Sequence, residues 1–94
     1  MGNLVAEHAV LDEQAIARWL VGHLSGKLDL APERVDPAMT FAEQGVDSMM
    51  AIVMSGDLAE WSGRNIDPTV LYEYPTIAAL AKYVSTLGGA GKQP

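Results

Sequence analysis

Apolar side chains in "DEQAIARWLVGHLSGKL", residues 12–28, recur at Ile16, Leu20, Leu24 and Leu28, and Ala17 and Trp19 broaden the stripe. A repeat of four residues suits a helix that buries one face, so the segment reads as an amphipathic helix of about four turns. Asp12 is placed to cap it, and Asp12 and Glu13 bring negative charge to the positive end of the helix dipole. A last helix is expected after Thr76, which caps it; Ile77, Leu80, Ala81 and Val84 fall at i, i+3, i+4 and i+7, and Gly88 and Gly89 end it.

Between these lies a long connection, "DLAPERVDPAMTFAEQG", broken by two prolines and a glycine. Asp36-Pro37 reads as a cap followed by proline at the first helical position, which predicts one short turn near Pro37 to Met39. Loops of this length are uncommon in compact domains unless they are functional or pinned down, and Leu30, Val35, Met39 and Phe41 are the expected anchors. A second main helix starts at Asp47 or Ser48 and runs to about Ser62, with Gly63 as its stop. Asp67-Pro68 opens another short helical turn that ends before Pro75. No stretch alternates strongly enough to predict a strand. The expected fold is all-α, with three main helices, one short helix and a long first loop. Residues 1–11 read as a leader or linker, 12–87 as one domain and 88–94 as a flexible tail.

On a wheel at about 100° per residue, Ala51, Met54, Ser55, Leu58 and Ser62 gather on one side of the second main helix, with Ile52 at the margin. That side is the expected core stripe. Met49, Val53, Asp57 and Glu60 fall opposite, flanked by Met50 and Gly56. A surface helix is ordinarily polar there, so apolar Met49, Met50 and Val53 beside two carboxylates suggest a docking surface. The competing reading buries Met50 against the long loop and leaves Val53 as an isolated surface valine.

Composition narrows the field. Ninety-four residues with 49% apolar content suit one small folded domain. The absence of cysteine removes disulfides, thiolate metal sites and a cysteine nucleophile, and fits a reducing cytoplasm. No apolar run approaches the ~20 residues of a membrane span, and the N-terminus lacks a signal-peptide pattern. Twelve carboxylates against six basic residues make nucleic acid an unsuitable partner. The acidity either steers partners that present Lys and Arg or only keeps the domain soluble.

Among the serines, Ser48 alone lies at a helix start, after a loop containing Gly45. Free N–H groups and a partial positive charge there favour a bound or attached phosphate. Simple capping is the commoner role for serine at such a position, and the pattern alone favours it. Hydrolytic use of Ser48 lacks a G-x-S-x-G elbow. His8 lies in the leader, and His23 reads as a surface residue of the first helix rather than a base. The two form no metal site with any carboxylate pattern present, and no P-loop or dinucleotide glycine pattern occurs.

"FAEQGVDSMMA" resembles the phosphopantetheine attachment signature of acyl carrier proteins, in which a glycine, one apolar residue, Asp-Ser and a bulky apolar residue open the second helix. "IDPTVLYEYPTIAALAKYV" is similar to the downstream half of polyketide synthase carrier domains, in the same order and register; the resemblance covers residues 12 to 87. It implies a four-helix bundle of the acyl-carrier type. It implies that Ser48 accepts 4′-phosphopantetheine from coenzyme A through a phosphopantetheinyl transferase, and that acyl intermediates ride on the arm as thioesters while the chain itself makes no bonds. At the arm's root Asp47 would cap the helix and help the transferase dock, and Met49 and Met50 would flank the arm; Met49, Met50, Val53, Asp57 and Glu60 would meet the partners. Those partners are the transferase, an acyl-loading enzyme (acyltransferase or acyl ligase), a ketosynthase and other synthase domains. The isolated domain is expected to be monomeric and cytoplasmic, with no membrane partner. One departure stands out: relatives commonly carry glutamate where this chain has Val53, which implies a more apolar footprint. Peptidyl carriers more often show Gly-Gly before the serine and fewer acids, so Asp47 and "YEYPT" favour the polyketide side. An unmodified helical docking domain, with Ser48 as a mere cap, is the reading from a different class.

Overall fold

In a computed structural model, residues 11–87 are described. Helix α1 spans Glu13–Leu28, α2 Phe41–Gln44, α3 Ser48–Ser62, α4 Val70–Glu73 and α5 Ile77–Ser85, and a 3-10 turn covers Pro32–Arg34. Among the described residues there is no strand; Thr40 and Thr76 form an isolated antiparallel bridge. The all-α architecture with three main helices is thus as expected. No helix of the described residues is long and apolar enough to cross a membrane.

The caps explain where the elements start. Asp12 Oδ1 accepts from the Ala15 N–H at 2.9 Å, and Thr76 Oγ1 from the Ala79 N–H at 3.1 Å. Each satisfies a first-turn donor that the helix ladder leaves without a partner. Helix α1 closes on Asp29 in the left-handed region, at φ 57°, with Lys27 near the negative end of the dipole. Helix α3 closes on Gly63 at φ 70°.

The core is drawn from the three long helices. Ile16, Leu20 and Leu24 of α1, Met54 and Leu58 of α3, and Ile77, Leu80 and Val84 of α5 are fully buried. Val35, Phe41 and Val46 reach in from the connection, and Ile66, Val70 and Leu71 from the segment before α5. Helix α1 packs mainly on α5, so the two end helices of the domain hold each other.

Several expectations are corrected. The long connection is pinned by Val35 and Phe41, but Leu30 and Met39 stay exposed. Polar groups fasten the loop where those two do not: Gln44 accepts from the Asp36 N–H and donates to the carbonyls of Asp36 and Met39. The Phe41 N–H donates to the Pro75 carbonyl, and the Ala78 N–H to the Pro37 carbonyl. Pro37–Met39 forms the expected turn, and helical pieces that were not expected flank it at Pro32–Arg34 and Phe41–Gln44. Ile52 is 56% exposed rather than marginal to the core. His23 is not a surface residue, since its side chain is only 11% exposed against α3. Of the expected leader at 1–11, Leu11 packs against the core while residues 1–10 lie outside the described residues, as do the tail at 88–94 and Gly88 and Gly89; α5 already closes at Thr86, before those glycines.

Candidate functional site

The α2–α3 junction is built to present Ser48. Thr40 and Glu43 form a reciprocal capping box on α2, which ends at Gly45. Gly45 has φ 109°, a conformation that L side chains rarely adopt, so the sharp exit from α2 requires glycine. Val46 is then buried and anchors the chain beneath the turn. Asp47 follows in extended backbone, and its Oδ1 accepts from the Met50 N–H at 2.9 Å. The cap of α3 is therefore Asp47. Ser48 is the first helical residue, exposed, and its hydroxyl takes no part in the cap.

The surroundings suit an anion joined to that hydroxyl. Asp47 engages the Met50 N–H with its side chain and the Ala51 N–H with its carbonyl, which leaves the N–H groups of Ser48 and Met49 outside the helix ladder. They sit at the positive end of a 15-residue helix, the place where a phosphate is stabilised. Beside Ser48 opens a cleft of about 280 Å³, walled by Phe41, Val46, Ala51, Leu71, Tyr72 and Pro75. The walls are mostly apolar, with Thr40, Asp47, Ser48 and Tyr72 at their polar points, so the cleft fits an organic chain better than a second negative charge. A reachable hydroxyl, a helix N-terminus and an apolar cleft thus meet at one point, as a phosphodiester-linked arm would require.

Residues 18–84 match the family described as phosphopantetheine attachment site. The chain belongs to the phosphopantetheine-binding carrier proteins. The solved structure of a free-standing peptidyl carrier protein from Acinetobacter baumannii is 34% identical, with TM-score 0.74, over 78% of this chain and 91% of that one. An acyl carrier protein from Anabaena with a variant phosphopantetheinylation-site sequence is 31% identical, also with TM-score 0.74, over 79% of this chain and 84% of that one. Among curated proteins, a phenolphthiocerol/phthiocerol polyketide synthase of Mycobacterium tuberculosis is 38% identical over 77 residues, which is 82% of this chain and 4% of that protein. This carrier domain therefore spans a small part of the synthases it matches, and it is homologous to their carrier segments. Members of the family bind 4′-phosphopantetheine covalently.

The other residues singled out in the carrier sequence divide in two. Met49 and Val53 lie exposed on the outer face of α3, at 69% and 42%, and Glu60 is exposed two turns beyond Val53. Met50 is half-buried and packs against the core, in line with the competing reading. Asp57 turns toward α1, where its Oδ2 accepts from His23 Nε2 at 2.8 Å. Tyr72, which the sequence pattern does not single out, stands 64% exposed on the wall of the cleft. The cue available for it is the short α4 turn: Leu71 faces inward there, which sends its neighbour out.

Proposed function

We propose that Ser48 is the residue that carries 4′-phosphopantetheine, and that the domain presents polyketide or fatty acyl intermediates to partner enzymes without catalysing any step. The observation that carries this is the division of labour at α3, where Asp47 does the capping and leaves the exposed Ser48 hydroxyl available. The bound arm supplies a terminal thiol for thioester formation. This chain's residues would hold the arm's root: the Ser48 and Met49 N–H groups would be available to the attached phosphate, and the helix dipole would offset part of its charge. Asp47 keeps the helix start in place while repelling the phosphate by its own charge. Met49, Val53 and Glu60 form the outer face from which a partner approaches.

The likeness to synthase carrier segments supports a polyketide pathway over a peptide one. Partners of the corresponding kinds follow: a phosphopantetheinyl transferase, an acyl-loading enzyme and a ketosynthase, met in the cytoplasm by a monomeric domain. The test is an intact mass after incubation with coenzyme A and a broad-specificity transferase. One phosphopantetheine should be added to the parent chain and none to Ser48→Ala, with both giving the same helical circular dichroism. A parent chain left bare, or a Ser48→Ala chain that is modified, rules the assignment out.

A further inference from the structure

The chain has five methionines and no cysteine, so before any thiol is attached all of its sulfur is thioether. An oxidant that attacks sulfur therefore finds only methionine here, and exposure decides which one. The four methionines among the described residues differ widely. Met54 is fully buried in the core, Met50 is half-buried against it, and Met39 is 38% exposed on the long connection. Met49, at 69%, is the most open large apolar side chain among the described residues. It also directly follows Ser48, in the first turn of α3. Side chains on a helix lean toward its N-terminus, which carries the Met49 thioether to the end of α3 where the Ser48 hydroxyl stands.

We propose that Met49 is a redox-modification site, oxidised by hydroperoxides to the sulfoxide, and that the oxidised chain is a poor acceptor of phosphopantetheine. The sulfur lone pair attacks the terminal peroxide oxygen, the S–O bond forms as the O–O bond breaks, and the proton of the transferred oxygen moves to the departing one. Sulfur loses two electrons, and the peroxide is reduced to water or, for an alkyl hydroperoxide, to the alcohol. The consequence for loading rests on the reading of Ser48 as the attachment residue. An enzyme that reaches that hydroxyl covers the adjoining Met49, and a thioether has little hydration to lose. A sulfoxide oxygen is a strong acceptor, and covering it strips its bonds to water unless a donor replaces them. It also competes for the Ser48 and Met49 N–H groups that the Asp47 cap leaves free, the donors available to the attached phosphate. Sulfoxide reductases restore the thioether, which makes the change reversible.

The probe is hydrogen peroxide on the apo chain, read by peptide mass mapping. After the peroxide is removed, initial rates of phosphopantetheine transfer from coenzyme A are read by intact mass. Met49 should gain oxygen severalfold faster than Met50, and Met54 should gain none until urea opens the core. With Met49 converted and the helical circular dichroism unchanged, kcat/KM for transfer should fall about tenfold. The two methionine sulfoxide reductases together, one for each epimer, should return it to the parent value. Each variant is compared with its own untreated form. Met39→Leu should lose as much on oxidation as the parent does. Met49→Leu, which keeps Met1, Met39, Met50 and Met54, should lose less than about twofold. Four results overturn the inference: an oxidised Met49 with an undiminished loading rate, a Met49→Leu chain that loses as much as the parent, a Met54 that oxidises alongside Met49, or a loss that tracks lost helicity. An untreated chain that never gains the arm overturns the attachment assignment instead, while the order of oxidation still reports on the Met49 site.

Discussion

At the scale of single residues, the site depends on Asp47 and Ser48 having different tasks. Losing a helix cap of this type to alanine costs about 1 kcal/mol, whereas asparagine ranks with aspartate because it still offers an oxygen to the first turn. Asp47→Ala should therefore lower unfolding stability by about 1 kcal/mol in urea, and Asp47→Asn by much less. Equal losses in the two would mean that charge at the helix end, not the hydrogen bond, is what Asp47 contributes. Asp67 gives a second residue-level test. Its carboxylate accepts from the Thr69 N–H and from the Thr69 hydroxyl, both at 2.9 Å, and these bonds favour the charged form and lower its pKa. A carboxyl whose pKa falls on folding stabilises the native state above its unfolded value and loses that contribution as pH drops through the folded one. Thr69→Val removes the hydroxyl and keeps the backbone donor, which is the larger cause. The Asp67 carboxyl carbon, followed by NMR, should titrate below the ordinary aspartate range in the parent and move only part of the way back in the variant.

Among the elements, the long connection between α1 and α3 is held by the Gln44 side chain as well as by the buried Val35 and Phe41. Gln44 closes three hydrogen bonds across it, to the Asp36 N–H and to the carbonyls of Asp36 and Met39. They are exposed, and each contributes roughly 0.5–1.5 kcal/mol at most. Gln44→Ala should speed amide exchange at Asp36, while amides in the middle of α1 and α5 keep the parent rates. Equal acceleration everywhere would show that the loop and the bundle open together. The same segment marks the limit of what the sequence discloses. Period and caps place α1, α3 and α5 correctly because each buries a stripe and each begins with Asp or Thr. The α2 turn also has a local signal, Thr40 with Glu43 three residues on, which is the capping-box spacing but stands beside the more conspicuous Asp36-Pro37. The exposure of Leu30 and Met39 has no such signal, since apolar character says nothing of whether a loop residue finds a partner. Ser48 is legible as a helix start and through its flanking pattern. The contact of Asp57 with His23 is not, because the two lie 34 positions apart and meet only across the α1–α3 interface.

For the molecule as a whole, folding and carrying are assigned to different residues. The eight fully buried large side chains come from α1, α3 and α5, and they include neither Ser48 nor any residue of the outer α3 stripe. A chain of 94 residues has a stability of roughly 5–14 kcal/mol by the usual per-residue rule. Truncating one core leucine removes about 2–5 kcal/mol of it, through lost transfer energy and the cavity left behind. Ser48→Ala, at an exposed position outside the cap, should cost no more than about 0.5 kcal/mol. Leu80→Ala and Ser48→Ala are thus expected to fail in opposite ways. In urea the Leu80→Ala midpoint should fall steeply, yet without denaturant the folded population still presents the α3 N-terminus, and its rate of phosphopantetheine loading should follow the folded fraction measured by circular dichroism. Ser48→Ala should keep the parent midpoint and accept nothing. If Leu80→Ala loaded far more slowly than its folded fraction predicts, the interior would be setting the geometry of the α3 start directly, and the separation of core from site would be wrong.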